Sequence, residues 1–139
     1  MASPIVVDSS AIIAILLKEP ERARFIAALD DSADSCCSVV TFVEAFMVAM
    51  SRVPGFSLER YIALIGGFGI RRIPVDEEQS VISSEAFLRF GKGRHPARLN
   101  LGDCFSYALA RSLNAPLLYK GEDFSHTDIA SAVATGARP

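Results

Sequence analysis

Four short apolar runs, at residues 5–7, 36–40, 70–75 and 117–119, punctuate a chain whose intervening segments carry helical spacing. Runs this brief are too short for buried helices and read as strands covered on both faces. Strands that alternate with helices are joined by crossovers into a parallel sheet. The expected fold class is therefore α/β, a three-layer α/β/α sandwich around a central, mostly parallel sheet. A length of 139 residues suits one such domain, residues 1–139, and no repeat, linker or low-complexity tract divides it. Half of the residues are apolar, enough for a packed core and against disorder.

The helices have readable ends. Ser9 or Ser10 can cap a first helix through Leu17, and Pro20, between Glu19 and Glu21, opens a second that reaches about Leu29. Thr41 and Glu44 have capping-box spacing at the head of a third, which Pro54 and Gly55 stop. Ser57 caps a fourth over residues 58–65, and Asp76 with Gln79 opens a fifth through Phe90. After a loop at residues 91–101, a sixth runs from about Asp103 to Leu113, ended by Asn114 and Pro116. The small, weakly patterned residues after Ile129 fit a last short strand and a frayed end.

Cys36, Cys37 and Cys104 form an odd set with no metal-binding spacing, and they read as small buried hydrophobes in a reducing compartment. No signal-peptide pattern opens the chain, and the longest apolar runs, residues 11–17 and 61–70, are too short to span a bilayer. A cytoplasmic protein is expected.

A formal charge of −2 argues at first against a generic polyanion binder. The average conceals an uneven distribution. Between residues 89 and 120 stand Arg89, Lys92, Arg94, Arg98, Arg111 and Lys120 against the single acid Asp103, a local charge of +5. Within it, residues 91–98 form a glycine-containing basic loop. By itself such a loop is a solvated surface segment; beside a cation site it would serve as a clamp for a phosphate backbone.

Four acids complete the pattern. Asp8 follows the first strand and Asp123 lies in the turn after the fourth, positions that in an open parallel sheet line the ligand crevice. Glu44 falls in the first turn of the helix after the second strand, and Asp103 begins the sixth helix. Each has a structural explanation: Glu44 as a capping-box acid, Asp103 as a helix-N-terminal charge, Asp123 as a turn residue. Asp8 resists one, because a carboxylate ending an apolar strand is partly buried and needs a partner. Gathered together, four carboxylates repel unless a cation neutralises them, and hard oxygen donors suit Mg²⁺ or Mn²⁺.

The segments Val6-Val7-Asp8-Ser9-Ser10-Ala11, Val43-Glu44, Leu99 through Ala110 with its Gly102-Asp103-Cys104 core, and Leu118-Tyr119-Lys120-Gly121-Glu122-Asp123-Phe124 closely resemble the PIN-domain family, and within it the VapC-type toxins of toxin–antitoxin pairs. The resemblance spans essentially the whole chain. It implies a PIN-like fold and a Mg²⁺-dependent endoribonuclease, with Mn²⁺ as a substitute, dimeric and held inactive by a cognate VapB-like antitoxin. By position, Asp8, Glu44, Asp103 and Asp123 match the acidic quartet, as catalytic residues and metal ligands, with Asp8 and Asp103 the direct ones. Ser9 matches the supporting hydroxyl. Lys92, Arg94, Arg98 and Lys120 are the expected RNA contacts. Glu122 departs from the Asn or Asp common at its slot, and Asp128 is either an outer acid or a helix cap.

Two other readings compete. A receiver-type phosphoacceptor domain would use Asp76, after the third strand, with Lys120, but it also wants an acidic pair where this chain has Asp8-Ser9. A non-catalytic interaction module would keep the acids as a docking surface for a basic peptide. The large apolar residues Phe42, Phe46, Met47, Val48, Tyr61, Ile62, Ile65 and Phe68 exceed one helix stripe; core packing takes most, and the remainder offers a self-association face or an antitoxin groove.

Overall fold

The computed structural model describes residues 4–133. Strands β1 (Ile5–Val7), β2 (Ser35–Ser38), β3 (Ile70–Ile73) and β4 (Leu117–Leu118) form one sheet in the order β3-β2-β1-β4. All three pairings are parallel: Val6 lies opposite both Cys36 and Leu117, and Ser35 opposite Ile70. Six helices flank it: α1 (Ser9–Leu16), α2 (Arg22–Asp31), α3 (Val39–Arg52), α4 (Leu58–Gly67), α5 (Glu77–Phe90) and α6 (Leu101–Leu113). A 3₁₀ turn, Asp123–His126, follows β4.

Alternation along the strands divides the core in two. Ile5, Val7, Cys37 and Leu118 enter one cluster with residues of α1 to α4, while Val6, Cys36 and Leu117 enter the other with residues of α5 and α6. Neighbouring residues on a strand face opposite ways, so a sheet that is apolar at consecutive positions needs helices on both sides. This is the expected three-layer arrangement. The cysteines are buried and free, and burial pushes the Cys36, Cys37 and Cys104 thiols up to about 11, 12 and 11. They pack as small apolar groups and stay protonated near neutrality.

Three helix starts differ from the sequence expectation. Asp8, and neither Ser9 nor Ser10, caps α1, its carboxylate accepting the Ser10 N–H at 3.0 Å. Ser38 caps α3, so that helix begins at Val39 and Thr41 and Glu44 both sit inside it; no Thr41–Glu44 capping box forms. The box lies instead on α6. There Asn100 accepts the Asp103 N–H at 2.9 Å while Asp103 accepts the Asn100 N–H at 3.1 Å, which starts the helix at Leu101. Pro20 precedes α2 by two residues rather than opening it. The Ser57 and Asp76 caps form as expected. Near the chain end, Ser131 bridges Leu117 in parallel; the rest of the expected last strand and frayed end falls outside the described residues. No helix among the described residues is long and apolar enough to cross a membrane.

Strand order decides where a site can form. The chain proceeds from β1 to β2 and β3 on one side, then returns to place β4 on the other. The connections out of β1 and β4 therefore diverge, opening a crevice at their carboxyl ends. Asp8 leaves β1 at that point, and its N–H donates to the carbonyl of Leu118, the last residue of β4.

Candidate active site

Asp8 is 2% exposed, and its carboxylate is held from two directions. The Ser10 hydroxyl donates to Oδ2 at 2.7 Å, beside the Ser10 N–H on the same oxygen. The Ser106 hydroxyl of α6 donates to Oδ1 at 2.6 Å. Three donors to one carboxylate satisfy a charge that burial alone would make costly.

Glu44 and Asp103 face the same region. Burial raises the Glu44 pKa, the adjacent Ser9 hydroxyl draws it down, and the Asp8 charge raises it again. Glu44 Oε1 is buried without a hydrogen-bond partner. Burial also raises Asp103, to about 7; the charges of Asp8, Asp123 and Glu44 push the same way, against the Asn100 N–H. Asp123 is exposed at the start of the 3₁₀ turn, completing the set at the crevice rim. The four sequence-predicted acids are thus electrostatic neighbours drawn from four separate segments.

Their donor chemistry fits a hard divalent cation. All are carboxylates, a buried oxygen lacks a partner, and a shared positive charge would offset both the burial and the acidic neighbours that raise Asp103. Among the described residues no three or more acidic, His or Cys side chains stand close enough together to hold a metal ion as they are oriented here. The hydrogen bonds indicate why: Asp103 turns Oδ2 to its own capping box, and Asp8 turns both oxygens toward serines.

The Asp103 shift carries a stability consequence. In the unfolded chain this acid ionises near 3.8, whereas in the fold it ionises at about 7. Between those pH values the folded state retains a proton that the unfolded state has released, so stability falls as pH rises through the window and the full penalty is present above it. We expect metal-free protein to melt a few degrees higher at pH 5 than at pH 8, and Asp103→Asn to flatten most of that difference in paired thermal melts.

A PIN-domain family model matches residues 5–130. The chain belongs to the PIN-domain family. Its relatives place it in the VapC branch: it is 38% identical over 126 residues to a VapC ribonuclease of Mycobacterium bovis (Mb0640), covering 91% of this chain and 96% of that one. It is 40% identical over 129 residues to ribonuclease VapC42 of Mycobacterium tuberculosis, covering 91% and 98%. Among solved structures, Mycobacterium tuberculosis VapC20, described as a sarcin-ricin loop cleaving toxin, superposes with a TM-score of 0.74 at 16% identity over 94% of this chain and 99% of that one. VapBC2 from Rickettsia felis, bound to a promoter DNA fragment, gives 0.68 at 11% identity over 92% and 96%.

The basic stretch of this PIN domain separates into three parts. Arg89 and Arg111 pair with Asp128 at 3.6 and 3.4 Å, and Tyr107 donates its hydroxyl to the same carboxylate at 2.6 Å. Asp128 is therefore not a helix cap; its carboxylate is held by Arg89, Tyr107 and Arg111. Lys120 pairs with Glu19 and Glu21 at 2.9 and 3.3 Å, which ties its ammonium to the α1–α2 connection. Lys92, Arg94 and Arg98 remain exposed and, among the described residues, without an acidic partner. Their loop is anchored by buried Ala97 and Leu99, with the Leu99 N–H donating to the Phe90 carbonyl and the Lys92 N–H to the Leu99 carbonyl.

Asp76 caps α5 beyond the edge strand β3, accepting the Gln79 N–H at 2.8 Å. PIN-domain membership overturns the receiver reading. The expected surplus of apolar side chains resolves unevenly: Phe42, Tyr61 and Ile65 are buried and Phe46, Val48 and Phe68 half-buried, while Met47 and Ile62 are exposed. Exposed Met47 and Val43 of α3, with Leu101 of α6, line an apolar groove beside Glu44.

Sequence reasoning missed Ser10, Thr41, Gly102 and Ser106. Gly102 is packed so closely that a Cβ there would overlap both carboxylate oxygens of Glu44. Its place beside Asp103, in the first turn of α6, was the available signal.

Proposed function

We propose that this PIN domain is a metal-dependent endoribonuclease toxin that hydrolyses RNA phosphodiesters and is neutralised by a cognate VapB-like antitoxin. The observation that carries the reading is electrostatic: beside the divergence of β1 and β4, burial raises Asp103 to about 7, and the charges of Asp8, Asp123 and Glu44 push it the same way. Its VapC ribonuclease relatives, and structural neighbours that include toxin–antitoxin complexes, support it.

Asp8 and Asp103 would hold Mg²⁺ or Mn²⁺ directly, with Glu44 and Asp123 completing the shell and Ser9 steadying Glu44. The ion would polarise the scissile phosphodiester and lower the pKa of the attacking water. Lys92, Arg94 and Arg98 would bind backbone phosphates, fixing the strand without reading its sequence. Looped or single-stranded RNA is the substrate that exposes its backbone to an open crevice. The apolar groove beside Glu44 would take an amphipathic antitoxin segment whose basic side chain reaches the acids, and a homodimer would use the remaining exposed apolar face.

Purified protein should cleave total RNA in Mg²⁺ or Mn²⁺, stop on chelation, and lose activity when the antitoxin is added. Metal-independent cleavage would overturn the metal role. Tight antitoxin binding with no cleavage of any RNA in either ion would favour the interaction-module reading. Light scattering at micromolar concentration checks the dimer, which a monomer alone and with partner would contradict.

A further inference from the structure

Thr41 and Ser106 are fully buried, and their hydroxyl oxygens are 3.1 Å apart across the contact between α3 and α6. A buried hydroxyl pair between two helices is unusual where apolar contact would do, because each group must be desolvated and keep a partner. Here the pair lies next to the site. Ser106 also donates to Asp8 Oδ1 at 2.6 Å, so a chain of hydrogen bonds runs from α3 through α6 to the end of β1.

The spacing along each helix gives this chain its meaning. Thr41 precedes Glu44 by three residues on α3, and Ser106 follows Asp103 by three on α6. Residues three apart share one face of a helix, one turn from each other. A bond that fixes Thr41 against Ser106 thus fixes the register of Glu44 against Asp103, and the same Ser106 hydroxyl sets the orientation of Asp8.

We propose that Thr41 and Ser106 are positioning residues: one buried hydroxyl pair that aligns three of the four carboxylates, Asp8 directly and Glu44 and Asp103 through the register of their helices. The inference rests on the reading of these acids as a cation site. Because Ser106 donates to Asp8, it cannot also donate to Thr41, so the Thr41 hydroxyl is the donor in that bond. The direction runs Thr41 to Ser106 to Asp8, and accepting from Thr41 makes the Ser106 hydroxyl a stronger donor to Asp8.

The test uses the full chain with Ser106→Ala, Thr41→Val and Thr41→Ser. Val matches the Thr shape without a donor, whereas Ser keeps the donor and loses only a methyl. Mn²⁺ affinity is read by calorimetric titration, RNA cleavage as separate kcat and KM, and folding by thermal melt. Removing an outer partner of a metal ligand costs about 10- to 100-fold in affinity or activity. Ser106→Ala and Thr41→Val should weaken Mn²⁺ binding at least tenfold and lower kcat with KM little changed, and Thr41→Ser should recover most of both. Folded Ser106→Ala and Thr41→Val proteins with wild-type Mn²⁺ affinity and kcat would overturn the positioning role alone. Equal losses in Thr41→Ser and Thr41→Val would likewise overturn it, assigning the effect to packing. Wild-type protein that neither binds Mn²⁺ nor cleaves RNA would overturn the cation-site reading itself.

Discussion

Asp8→Asn should abolish RNA cleavage while leaving the protein folded. Asparagine is as good a helix N-cap as aspartate, so its side-chain oxygen can still accept the Ser10 N–H that starts α1. The amide is nearly the same size as the carboxylate, and its NH₂ can donate to a serine hydroxyl that formerly donated to Asp8. What disappears is one negative charge and one anionic oxygen at the crevice. Charge stabilisation by a catalytic ion is worth several kcal/mol, so its loss corresponds to a fall of about 10³-fold or more in kcat. A circular-dichroism spectrum and melt near wild type, alongside undetectable cleavage, would separate chemistry from folding. Cleavage within a factor of a few of wild type would remove Asp8 from the reaction.

Gly102→Ala is expected to be nearly as damaging for a different reason. Gly102 lies within α6 in ordinary helical conformation, where alanine favours the helix by about 1 kcal/mol. The added methyl has no room, because it would occupy the position of the Glu44 carboxylate. The carboxylate is the far end of a flexible side chain and swings away, so the fold survives and the site does not. Displacing a catalytic group by about 1 Å can cost about 10²-fold. We expect kcat to fall by about that factor with the melting temperature held or raised. Gly102→Ala with full activity would show that Glu44 is not needed where the structure places it.

The α/β class, the sandwich and most helix boundaries were legible in the sequence because they depend on local pattern. Consecutive apolar residues such as Val6-Val7 must be covered on both faces, and Ser57 and Asp76 each cap with a partner three residues away. Where the reading erred, several local partners competed. Asp8, Ser9 and Ser10 are all good caps, and Asp8 prevailed because its oxygens also meet Ser106 from across the fold. Thr41 and Glu44 carry a capping-box pattern, but Ser38 begins the helix a turn earlier and frees both for the site.

The four acids were singled out by their places at strand exits and helix starts, supported by the resemblance, and the fold makes them electrostatic neighbours. The hydroxyls behind them were not, because a Thr41–Ser106 contact joins residues 65 positions apart and leaves no short-range mark. The basic stretch was found as a charge count, yet the count did not distinguish three exposed cations from those committed to Asp128, Glu19 and Glu21. Ion pairing depends on tertiary neighbours, which composition does not record.

The measurement that bears most directly on the site is the titration of Mn²⁺ into metal-free protein, followed by water-proton relaxation, for wild type and for Asp8→Asn, Glu44→Gln, Asp103→Asn and Asp123→Asn. If the four carboxylates form one cation site, wild type binds saturably and each variant binds at least tenfold more weakly, with Asp8→Asn and Asp103→Asn the weakest. Wild-type affinity in all four variants would contradict that site.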